Sequence, residues 1–72
     1  MSYLTDAVHE VESKENASFY SVVDTDDVEL NTVLDAHKLA ERLYSKQYGY
    51  NGPFHTVAEP TEDGYRVIVM EE

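Results

Sequence analysis

The chain has 72 residues, with 15 Asp and Glu against 5 Lys and Arg, a formal net charge of −10, 42% hydrophobic residues and no cysteine. No disulfide framework or thiolate chemistry can be built from it, and so acidic a surface repels DNA, RNA and anionic membranes, which are held by clustered lysine and arginine. The hydrophobic content is that of a globular chain, so the acidity does not imply disorder; the length predicts one domain (1–72) of radius of gyration about 11 Å, with little room for a pocket.

The opening MSYLTDAVHEVE carries no basic n-region, apolar run or cleavage signature, and nowhere are eighteen apolar residues consecutive. The expectation is a soluble, cytoplasmic protein. Residues 3–12 read in two ways. As a strand, Ala7, His9 and Val11 alternate with Val8, Glu10 and Glu12; as a short helix, Leu4, Ala7, Val8 and Val11 share a face behind Ser2. The strand is preferred because residues 13–16 (SKEN) suit a turn and residues 17–24 (ASFYSVVD) are rich in aromatic and β-branched side chains, which makes a hairpin. Residues 24–31 (DTDDVELN) then hold four acids in eight positions, with 26–30 readable as an extended run.

The strongest periodicity lies in residues 31–49 (NTVLDAHKLAERLYSKQYG). At 100° per residue Val33, Ala36, Leu39, Ala40, Leu43 and Tyr44 fall on one side, and Lys38, Arg42 and Lys46 line up four apart on the other. Asn31 is expected as the cap, Asp35 and Lys46 suit the two ends of the macrodipole, and Gly49 can take the left-handed stop. Beyond it, Tyr50, Asn51, Gly52 and Pro53 break the pattern, residues 54–59 read as a strand closed by Pro60, and Glu62, Asp63 and Gly64 predict a tight hairpin turn with positive φ. Residues 65–70 (YRVIVM) are the most strand-like run. The order is β-β-α-β-β, predicting an α+β fold in which an antiparallel sheet carries one helix on one face. Tyr20, Val22, Ile68 and Met70 suggest a second sheet face that is not wholly polar, suited to a homodimer or another partner.

Several chemical sites can be weighed against these residues. Counted from Asp24, a calcium loop would place Val28 at position 5, Glu29 at the turn glycine and Asp35 at position 12, so the pattern fails. His9, His37 and His55 lack metal-ligand spacing, and His37 and His55 read as structural. No nucleophile–base constellation is present, and a domain this small desolvates few carboxylates, so neither enzyme activity nor a cofactor or metal is expected. Tyr44, Tyr48, Tyr50 and Phe54 form an aromatic group, read first as core and helix-end packing and second as an interface anchor.

The carboxylates are the main signal. Residues 32–48 carry a net charge of +1 and the rest of the chain −11. The acids fall at Glu10, Glu12 and Glu15 in the first hairpin, at Asp24, Asp26, Asp27 and Glu29 before the helix, and at Glu59, Glu62, Asp63, Glu71 and Glu72 in the second hairpin and tail. Acids at i, i+2 in a strand stand about 6.6 Å apart on one face, close to the step between phosphates. Duplex DNA carries one charge per about 1.7 Å of axis, so ten charges match roughly 17 Å, or about five base pairs. Solvated faces, or adaptation to high salt, would also explain acidity, but neither requires the signs to be sorted between helix and hairpins. The predicted contact set for a basic nucleic-acid-binding protein is therefore Asp24, Asp26, Asp27, Glu29, Glu10, Glu12, Glu59, Glu62, Asp63, Glu71 and Glu72.

In size, acidity and Asp/Glu-rich hairpin ends (DTDDVE, EPTEDG and the closing EE), the chain resembles the small host-takeover proteins of lytic bacteriophages that mimic DNA, most of all the phage inhibitors of the histone-like nucleoid protein HU. In element order, with HEVESKENASFYSVV as a hairpin before an acidic lead-in and a helix, it is also similar to phage inhibitors of bacterial RNA polymerase. The first resemblance implies a protein that occupies the basic DNA-binding arms of HU. The second implies an inhibitor of RNA polymerase, and the alternative function is a shape-based inhibitor or adaptor of RNA polymerase or a nuclease complex that uses the aromatic surface.

Overall fold

Ser18, Tyr20 and Val22 are buried while Ala17, Phe19, Ser21 and Val23 are half-buried, the period of two expected of a strand with one covered face. The computed structural model describes residues 6–72, and this strand is β2 (Ala17–Val23) in the order β1 (Val8–Lys14), β2, α1 (Val33–Tyr48), β3 (Phe54–Pro60) and β4 (Gly64–Glu71). All neighbouring strands are antiparallel and the sheet order is β1-β2-β4-β3, so the most apolar strands, β2 and β4, lie in the middle. The expected α+β architecture is found, and the radius of gyration is 11.0 Å.

The chain begins differently from the preferred reading. Residues 3–5 lie outside the described residues, Asp6 and Ala7 are helical, and the strand starts at Val8. Ala7 and Val8 are both buried, the pair that the helix reading places on one face and a plain strand would split, although the strand takes over at Val8. A β-bulge follows between Glu10 and Glu12: Glu10 pairs with Tyr20 and Glu12 with Phe19, leaving Val11 as the extra residue. Glu15 and Asn16 turn the chain, with Asn16 at φ 60, a conformation Asn tolerates better than most residues.

Helix α1 lies across one face. Ala36, Ala40, Leu43 and Tyr44 pack against Val8, Tyr20, Val22, Val67 and Val69, with Leu39, Phe54, Ala58 and Tyr65 around them. Two sequence expectations are corrected here. The cap is Thr32, not Asn31, because Asp35 reaches back and accepts from the backbone N–H of both Asn31 (2.8 Å) and Thr32 (3.1 Å). Tyr20 and Val22 face the helix rather than the open side of the sheet, since their register partners Val67 and Tyr65 belong to the core layer. At the other end Gly49 takes φ 69 and donates its N–H to the Ser45 carbonyl at 2.8 Å, the left-handed stop that was expected.

Candidate functional site: twin acidic turns at one end of the sheet

Threonine hydroxyls build the most acidic part of the molecule. In residues 25–28 (TDDV) the Thr25 N–H donates to the Val28 carbonyl at 2.9 Å while the Val28 N–H donates to Thr25 Oγ1 at 3.0 Å. In residues 61–64 (TEDG) the Thr61 N–H donates to the Gly64 carbonyl at 2.8 Å and the Gly64 N–H to Thr61 Oγ1 at 3.1 Å. Each turn is closed twice by its threonine and holds two exposed acids at the tip, Asp26 with Asp27 and Glu62 with Asp63. The Asp24 N–H donates to the Asp63 carbonyl at 3.3 Å, which sets the two turns side by side.

This arrangement replaces two expectations. Residues 26–30 are not extended, because the Thr25 closure folds them and the Leu30 N–H donates to Asp24 Oδ1 at 3.1 Å. Gly64 does not take positive φ; Gly49 and Gly52 are the glycines that do. The hairpin is not a two-residue turn, because Pro60 and Tyr65 form its last pair and leave a four-residue loop.

The carboxylates of the sequence-predicted set do not gather on one surface. Asp24, Asp26, Asp27 and Glu29 meet Glu62 and Asp63 at the end of the sheet beside the start of α1. Glu71, Glu72 and Glu15 lie at the opposite end, where the Glu71 N–H donates to the Asn16 carbonyl, seven residues of β2 or roughly 20 Å away. Glu10 and Glu12 lie along β1, and Glu59 stands opposite Arg66 on β3.

The carboxylates also differ in what they already hold. Asp24 accepts from Leu30, Glu10 from the Tyr48 hydroxyl, Glu71 from the Tyr44 hydroxyl, and Glu12 pairs with Lys14 at 3.6 Å. Asp26, Asp27, Glu29, Glu62 and Asp63 have no side-chain partner among the described residues. An exposed acid with no internal partner keeps its whole charge available to an incoming cation.

The aromatic side chains pack on one another, with Tyr44 buried and Tyr48 still 48% exposed. The Tyr44 ring lies 4.8 Å from Tyr48, 6.2 Å from Tyr50 and 5.9 Å from Phe54, and Tyr50 lies 5.4 Å from Phe54. Their hydroxyls donate to Glu71, Glu10 and, for Tyr50, the Pro53 carbonyl at 2.7 Å. The reading of this cluster as core and helix-end packing is the one found. His37 is likewise structural, its Nδ1 hydrogen-bonded to Thr56 Oγ1 at 2.6 Å across the layers.

The positive charge runs along the helix and reaches the acidic lead-in, where Lys38 and Arg42 line a small hollow with Val28, Glu29 and Asp35. Lys38, Arg42 and Lys46, with Asn51 and Phe54, line an open groove of about 580 Å³ along the helix. Among the described residues no cluster of three or more His, Asp or Glu is arranged to hold a metal ion, and no helix is long and apolar enough to cross a membrane.

What sequence reading missed is the pair of threonines. The signal was there: Thr-acid-Asp occurs at 25–27 and again at 61–63, and a hydroxyl before two acids favours a side-chain-closed turn. Comparison of the chain with protein-family models, characterised proteins and solved structures finds no match.

Proposed function

We propose that this protein is a non-enzymatic, DNA-mimicking inhibitor that binds the basic surface of a nucleic-acid-binding protein in the bacterial cytoplasm, an HU-type nucleoid protein first among them, and excludes DNA from it. The observation that carries this reading is the juxtaposition of the two threonine-closed turns through Asp24 and Asp63, which concentrates six carboxylates, Asp24, Asp26, Asp27, Glu29, Glu62 and Asp63, on one end. Rigid turns hold those charges without a large ordering cost on binding, and the complementary field speeds encounter with a cationic partner. Asp26, Asp27, Glu62 and Asp63 at the two tips make the contact in this reading; Asp24 holds the loop.

The test is a titration of an HU-type protein with the wild-type chain and with two charge-neutral variants. One is Asp26→Asn, Asp27→Asn, Glu62→Gln, Asp63→Asn; the other removes the same number of charges elsewhere, Glu12→Gln, Glu15→Gln, Glu59→Gln, Glu72→Gln. The turn variant should lose most of the affinity and flatten its dependence on salt, while the second variant binds nearly as wild type and still competes with duplex DNA. Equal losses in both would reduce the interaction to net charge, and affinity insensitive to salt would defeat the mimic altogether.

A further inference from the structure

We propose that the face of the sheet opposite α1 is an interface for a second copy of this chain, an inference separate from the function assigned to the acidic turns. The register places Phe19, Ile68 and Val57 side by side across β2, β4 and β3, with Ala17 and Met70 beside them. Val57 is 45% exposed and Val11, which shares with Glu12 the position opposite Phe19, is 58% exposed. Ala17, Phe19, Ile68 and Met70 are half-buried, and no helix or strand of the described chain lies over this row.

Charge selects the occupant. The two cations outside α1, Lys14 and Arg66, both stand over the Phe19 ring, at 5.7 Å and 5.2 Å from its centroid. Glu12 pairs with Lys14, and Glu59 lies opposite Arg66, so this face sums to zero on a chain of net charge −10. Two copies repel each other through every acidic surface but not through this one, and Lys14 and Arg66 of one copy can meet Glu12 and Glu59 of the other. A strongly basic partner is drawn to the turns instead.

Shape agrees. Four strands about 4.8 Å apart, three of seven residues and one of eight, give a footprint of roughly 400 Å² per copy. With side-chain relief, two copies remove on the order of 1,000 Å² from water, at the lower edge of specific interfaces, which fits a reversible dimer. The edges of the sheet offer no substitute, because β1 is broken by its bulge and β3 ends in Pro60.

Sedimentation equilibrium from low-micromolar to near-millimolar concentration tests this at low and high salt. The wild-type mass should climb from 8.2 kDa toward twice that value, further at high salt, where the repulsion between acidic copies is screened. Val57→Glu should stay at the mass of one chain with an unchanged circular dichroism spectrum and unchanged affinity per chain for a basic partner. Val11→Glu, at a bulge with no ladder partner, gives the same result if Val57→Glu fails to fold. A wild-type mass fixed at one chain, assembly beyond two chains, or folded variants that associate as wild type would each overturn the proposal.

Discussion

Gly64 lies so close to the carbonyl oxygen of Val22 that a Cβ built on it would fall inside that atom's contact radius, with Val22 C and Val23 Cα each 2.9 Å away. All three obstacles are backbone atoms of the central strand, so relief requires moving β2 rather than a side-chain end. Gly64→Ala should therefore cost about 2–3 kcal/mol, the upper part of the range for overpacking, seen as a lower urea midpoint. Because Gly64 also closes the second acidic turn, its amide should exchange faster in the variant. A midpoint equal to wild type would mean that the two strands have slack here.

Thr25→Val and Thr61→Val keep the shape of each side chain and remove the hydroxyl that accepts from Val28 or Gly64. Each substitution should cost about 1 kcal/mol and accelerate exchange of the Val28 or Gly64 amide in that turn alone. If the acidic turns act by rigidity, the double variant loses affinity for a basic partner with every charge intact. Unchanged exchange would show that the backbone bonds suffice.

Much of the fold was legible because hydrophobic period and punctuation agreed: Val33 to Tyr48 with Gly49 behind it, and Tyr65 to Met70 between Gly64 and the closing glutamates. The misplacements share a cause. Asn31 and Thr32 are both good caps, and the choice was made by Asp35, whose reach is a three-dimensional fact. Val11 continues the alternation of β1 by residue type, yet the bulge there reverses which side each later residue takes, so Glu12 and Lys14 end opposite Phe19 and Ala17. The acids of the site were all legible as residues. Their division between two ends was not, because it follows from the order β1-β2-β4-β3, which puts Asp63 next to Asp24 and Glu71 next to Asn16.

Asp35 ties the loop to the helix by accepting two backbone N–H groups with one carboxylate oxygen. Asp35→Ala leaves both donors to solvent and removes an anion from the positive end of the helix, a loss of about 1–2 kcal/mol. Asp35→Asn retains an acceptor and should recover part of it. Thermal unfolding of the two variants gives the comparison, and equal midpoints for wild type and Asp35→Ala would show that the cap contributes nothing to the fold.

Tyr20 and Tyr44 make the fold sensitive to alkali. Burial, opposed by the Ser18 hydrogen bond and reinforced by the charges of Glu10 and Tyr48, pushes the Tyr20 phenol up to about 12. Burial and the Glu71 carboxylate, which accepts its proton in a hydrogen bond, push Tyr44 up further. Both pKa values are raised above the unfolded value of about 10, so their contribution is complete below that pH and is lost as the unfolded chain ionises first. Between about pH 10 and pH 12 Tyr20 alone should remove on the order of 1–2 kcal/mol, allowing for screening by solvent near the hydroxyl. Urea midpoints should hold steady up to about pH 9 and then fall, with tyrosinate absorbance rising together with unfolding. Tyr44→Phe, which keeps the ring against Tyr48 and Phe54, should make that fall shallower while lowering the midpoint at neutral pH through the lost bond to Glu71. A midpoint as steady at pH 11 as at neutrality would mean that the two phenols ionise as freely in the folded protein as in the open chain.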